Sequence, residues 1–72
     1  MMETQLLFTK EGIKQSLMKY FRENNGRIKG YNTIEIYNNW SEDYNVIIDD
    51  NDVVYACKLI KKLAEIYRNA EE

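Results

Sequence analysis

Ile28-Lys29-Gly30-Tyr31-Asn32-Thr33-Ile34-Glu35-Ile36-Tyr37, residues 28–37, is the stretch on which the fold turns. Ile28, Ile34 and Ile36 fall on one parity, and Tyr31, Thr33, Glu35 and Tyr37 on the other. A period of two, with β-branched and aromatic residues dominating, predicts extended chain. It reads as one strand or as two short ones broken near Gly30-Tyr31-Asn32. Residues 38–43 follow as a polar connection carrying Trp40, and residues 44–49 resume extended character with Val46-Ile47-Ile48. A β-hairpin is the simplest account.

Working outward, Thr9 is a good helix N-cap, followed by Ile13, Leu17, Tyr20 and Phe21 within one arc of about 100°. A first helix is predicted over residues 9–24, ended by Asn24-Asn25-Gly26 through the left-handed preference of Asn and Gly. Whether residues 3–8 form a strand or a further helical turn stays open, although Gly12 argues against one unbroken helix. On the other side, Asp49, Asp50 and Asp52 are N-capping candidates whose charge suits a helix N-terminus. A second helix is predicted over residues 52–69. Its apolar residues fill about 200° of the wheel, wider than one small sheet needs, so the surplus must meet the first helix or a partner. The expected fold is α+β: two helices packed on one face of a small antiparallel sheet, in the order α-β-β-α or α-β-β-β-α. Residues 1–72 form a single domain.

Several chemistries are excluded by what is missing. The 72 residues hold one cysteine, Cys57, so no disulfide forms within the chain, and a reducing cytoplasmic setting is expected. Cys57 sits on the apolar arc of the second helix and reads as a small hydrophobe. There is no histidine, which removes the usual near-neutral acid/base group and nearly every zinc site. Gly12, Gly26 and Gly30 match no phosphate-binding loop. Apolar runs stop at three residues, so neither a membrane span nor a signal-peptide core is expected, and Asn39-Trp40-Ser41 is not read as a used sequon. A calcium loop starting at Asp49 or Asp50 would place valine at its fifth ligand position and lacks the required glycine. No enzyme activity, cofactor or metal is expected.

The net charge of −2 conceals a division. Residues 1–29 carry six basic and three acidic groups, residues 30–57 six acidic and no basic ones, and residues 58–72 four basic and three acidic. The acidic middle predicts a partner-binding edge on the hairpin: Glu35, Glu42, Asp43, Asp49 and Asp50 to steer a basic protein, with Tyr31, Tyr37, Trp40 and Tyr44 as anchors. Tyr55, Leu59 and Ile66 on the second helix are candidates for self-association into a homodimer. The alternative reading is nucleic-acid binding through a basic stripe of Lys58, Lys61, Lys62 and Arg68.

The α-β-β-β-α order resembles the double-stranded RNA-binding domain, whose last helix opens on a phosphate-gripping lysine cluster. Here that place reads Asp49-Asp50-Asn51-Asp52 and would repel phosphate, so the resemblance is set aside. Eight asparagines and six tyrosines with no proline and no histidine resemble, in composition and size, small proteins of phages and prophages in low-GC Gram-positive bacteria. That group includes compact acidic inhibitors of host nucleases and defence complexes, among them anti-CRISPR proteins. The resemblance implies a non-enzymatic inhibitor of a host protein.

Overall fold

The computed structural model describes the backbone of residues 4–28 and 32–70, and the side chains of residues 4–24 and 32–67. The elements run β1 (Gln5–Leu7), α1 (Lys10–Ile28), α2 (Thr33–Asp43), β2 (Val46–Ile48), a 3-10 turn (Asp50–Asp52) and α3 (Val53–Ala70). The expected antiparallel sheet with two helices on one face does not form. Among the described residues there are three helices and one two-stranded sheet, and its strands are parallel, with Gln5 opposite Val46, Leu6 opposite Ile47 and Leu7 opposite Ile48. Parallel strands need a long crossover, and here α1 and α2 provide it.

The correction is sharpest in the stretch predicted to be a strand. Residues 33–37 are the first half of α2. Asn32 is its N-cap: the side-chain oxygen accepts from the Glu35 N–H at 2.8 Å, and the side-chain amide donates back to Glu35 Oε1 at 3.4 Å. The first bond satisfies a backbone donor that the helix cannot pair internally, and the second joins the two side chains. Ile34 and Ile36, placed on one face by the strand reading, part company. Ile34 is 68% exposed and Ile36 is 1% exposed. Helical spacing puts Ile36 and Trp40 together in the core instead, with Tyr44 packed against it.

Asn45 ends α2 and turns the chain into β2. It adopts φ 51°, a left-handed conformation that Asn tolerates better than most residues. Its carbonyl accepts from the Gln5 N–H at 2.8 Å, and its side-chain amide donates to Thr4 Oγ1 at 3.0 Å. The residue that stops the helix thus also pins β1 beside β2.

The predicted helices are recovered with altered ends. Thr9 caps α1, its hydroxyl accepting from the Gly12 N–H at 3.0 Å, and Ile13, Leu17, Tyr20 and Phe21 are all buried. Asn24 does not stop the helix. It kinks it, with φ −129° and ψ 23°, while its side-chain amide donates to the Tyr20 carbonyl at 3.0 Å. The aspartates before α3 act one step earlier than expected: the Asp49 carboxylate caps the 3-10 turn through the Asn51 N–H at 2.8 Å, and α3 starts at Val53.

One core holds these elements together. It gathers Ile13, Leu17, Tyr20 and Phe21 from α1, Ile36 and Trp40 from α2, Val46 from β2, and Ala56, Ile60, Leu63 and Ala64 from α3. Lys10 meets Tyr55 and Phe21 meets Tyr67, so α1 and α3 run in the same direction. The wide apolar arc of α3 is explained by this packing, since α3 touches both α1 and α2. Cys57 is half-buried at the edge of that arc.

Candidate functional site

The residues expected to form one acidic, aromatic edge are distributed by α2 into different environments. Trp40, expected as a surface anchor, is fully buried. Its ring stacks edge-on against Tyr37 at 5.8 Å, and its indole N–H donates to Ser16 Oγ on α1 at 3.0 Å. Tyr37 is half-buried, and burial, then the nearby Cys57 and Asp50, raise its pKa above the usual phenol value. Tyr44 is half-buried too, its ring edge-on to Tyr20 at 5.4 Å and its hydroxyl donating to Glu23. These aromatics serve packing. Tyr31 lies outside the described residues.

The acidic groups of that set stay exposed. Glu35 is in the first turn of α2 and bonds the Asn32 cap, while Glu42 and Asp43 occupy the last turn. Asp49 and Asp50 follow β2 at the 3-10 turn. Within the described residues Glu42, Asp43 and Asp50 make no ion pair or hydrogen bond through their side chains. The first turn of a helix welcomes carboxylates and the last turn does not, because the last free carbonyls already carry partial negative charge. Glu42 and Asp43 stand at that unfavourable end with no basic residue beside them in the turn.

Tyr44 makes one consequence measurable. Burial first, then the hydrogen bond to Glu23, raise its pKa above the ordinary 10.0. A phenol whose pKa is raised on folding adds stability that is complete below the unfolded value and is lost as pH climbs past it. The melting midpoint is therefore expected to fall as pH rises above 10.0, and less steeply in Tyr44→Phe than in the native chain. Identical slopes in thermal melts followed by circular dichroism would refute the pairing.

A second face is assembled on α3. Tyr55, Lys58, Leu59, Lys61, Lys62 and Glu65 line an open hollow of about 420 Å³. Tyr55 and Leu59 are half-buried and form its apolar part, the three lysines are exposed, and Lys10 Nζ stands 5.6 Å from the centre of the Tyr55 ring. Residues expected to serve self-association and residues expected to serve nucleic-acid binding thus share one site. Ile66, 55% exposed on the same helix, is not among its lining residues. The side chain of Arg68 lies outside the described residues. Lys10 is not among the lining residues, and its contact with Tyr55 joins two helices, so no spacing rule within one helix predicts it.

Among the described residues no group of three or more Cys, Asp or Glu is placed to hold a metal ion, and no helix is long and apolar enough to cross a membrane. No protein-family model matches the chain, and no curated protein or solved structure matches it.

Proposed function

We propose that this chain is a non-enzymatic protein-interaction module that captures a partner with a basic surface through Glu42, Asp43, Asp49 and Asp50, the carboxylates on either side of β2. The observation that supports this reading is the placement of Glu42 and Asp43. Each is exposed at the helix end that disfavours negative charge, at a cost of roughly 0.3–1 kcal/mol apiece, so folding does not account for them. A charged surface that costs stability is explained by what it attracts. The aromatic anchors of the expected edge drop out of the reading, since Trp40 is in the core. With the compositional resemblance to phage-type proteins, the partner class is a basic host protein whose activity the module would block.

The double reversal Glu42→Lys with Asp43→Lys tests both halves of the argument. The variant is expected to melt higher than the native chain and to lose the protein that the native chain retains from a bacterial lysate. Reversal of Lys58, Lys61 and Lys62 to Glu is expected to leave that capture intact. A lower midpoint together with undiminished capture would sink the proposal.

The hollow on α3 favours a second reading, nucleic-acid binding, because it places an aromatic ring among lysines, the combination that single strands recognise. Its mark is a gel shift with single-stranded DNA that weakens steeply as salt rises and disappears in the lysine-reversal variant.

A further inference from the structure

The outer face of the sheet carries exposed apolar side chains. Strand alternation turns Leu7, Val46 and Ile48 toward the helices, where all three pack against the core or within it. It turns Leu6, Ile47 and the next residue after β1, Phe8, the other way. Leu6 and Ile47 are neighbours in register, and the three are 56%, 55% and 70% exposed. Parallel sheets are almost always covered on both faces, and a lone pair of strands is only marginally stable. Three adjacent exposed apolar side chains on such a sheet form a patch of the kind that marks an interface.

We propose that a second copy of this chain covers this face, the two sheets stacked face to face about a two-fold axis parallel to the strands. The charges at the sheet's end choose a second copy over another partner. Because the strands are parallel, both run out at the same end, β1 toward Lys10 and β2 toward Asp49 and Asp50. Residues 4–9 are uncharged. The two-fold lays β1 of each copy over β2 of the other, which brings the Lys10 of each beside the Asp49 and Asp50 of the other, twice. A surface with an apolar centre and opposite charges just beyond the ends of its two strands is self-complementary under that rotation. Lys10 makes no ion pair within the described residues; its Nζ lies 5.6 Å from the centre of the Tyr55 ring, a contact it exchanges for the carboxylates on association. Edge-to-edge pairing of the sheets would leave Leu6, Phe8 and Ile47 in water. Pairing through Tyr55, Leu59 and Ile66 of α3 would set Lys58, Lys61 and Lys62 against their own copies.

Sedimentation velocity of the full chain, from micromolar to millimolar concentration, tests this. The mass is expected to rise from 8.6 kDa toward twice that value. Leu6→Asp and Ile47→Asp, each at an exposed site, are expected to keep their helical circular dichroism and to dissociate on the order of a hundredfold more readily. If one of them fails to fold, the other carries the test. Lys10→Glu and Asp50→Lys are each expected to weaken association about three- to tenfold, and their combination to restore it. Ile66→Asp and the Glu42, Asp43 double reversal are expected to leave it unchanged, which separates this surface from Glu42 and Asp43, although the two surfaces share Asp49 and Asp50. A constant 8.6 kDa, a dimer that survives Leu6→Asp, or a combined charge swap no better than the single variants would overturn the proposal.

Discussion

Trp40→Ala is expected to leave the chain without a cooperative melting transition at 25 °C. Trp40 is the largest fully buried side chain, and it joins α2 to α1 through the 3.0 Å bond from its indole N–H to Ser16. Removing a buried Trp side chain costs about 3–5 kcal/mol, since the cavity left behind adds to the lost transfer free energy. A core of this size supplies only about 3–5 kcal/mol of net stability, and no disulfide adds to it. The loss and the total are therefore of one size. Trp40→Phe, which keeps an aromatic ring but not the N–H, is expected to fold with a lowered midpoint. Far-UV circular dichroism against temperature checks both. Had Trp40 been the surface anchor that its polar neighbours in sequence suggested, Trp40→Ala would reduce binding and hardly move the midpoint; that outcome would refute the core assignment.

A paired substitution in α2 has an effect as large and separates helix from strand directly. Ile36→Asp is expected to unfold the protein, because an unpaired carboxylate at a site 1% exposed loses its hydration with nothing to replace it. The cost is several kcal/mol, at least equal to the whole stability of a domain this small. Ile34→Asp is expected to change the midpoint little, within about 0.5 kcal/mol, since Ile34 is 68% exposed and a carboxylate suits the first turn of a helix. In a strand, residues 34 and 36 would share a face, and the two substitutions would act alike. Equal destabilisation by both would contradict α2.

Parts of the architecture were legible from residue order. The cap at Thr9, the stripe of Ile13, Leu17, Tyr20 and Phe21, and a helix at Val53–Ala70 all rest on strong periodic patterns. The failure in residues 33–37 has a specific cause. Ile34 and Ile36 mimic strand alternation, while Asn32 with Glu35 spells a capping box and Ile36, Trp40 and Tyr44 recur at helical spacing. Both periods fit the same letters. β-Branched composition points to a strand and the cap to a helix, and the eleven residues Thr33–Asp43 follow the cap.

The same limit explains the candidate site. Exposure of Glu42, Asp43, Asp49 and Asp50 follows from charge alone, because an unpaired carboxylate is not buried. The burial of Trp40 does not follow from any local pattern, since its hydrogen-bond partner Ser16 lies 24 residues earlier in the chain. The contact of Lys10 with the Tyr55 ring likewise depends on α1 running alongside α3.

Residue order was sufficient for what depends on neighbours within a few positions: two amphipathic helices, the Thr9 cap of the first, the division of charge, and the absence of groups for disulfide or imidazole chemistry. Three features came from contacts between distant segments. These are the helical state of residues 33–43, the parallel pairing of β1 with β2, and the exposure of Leu6, Phe8 and Ile47 on one face of that sheet. Three-residue strands carry too little local preference to choose a partner or a direction. Their pairing is set by Asn45, which stops α2 and holds Gln5 in place, and by a core that can bury Ile36 and Trp40 together only if the chain between Asn32 and Asn45 coils.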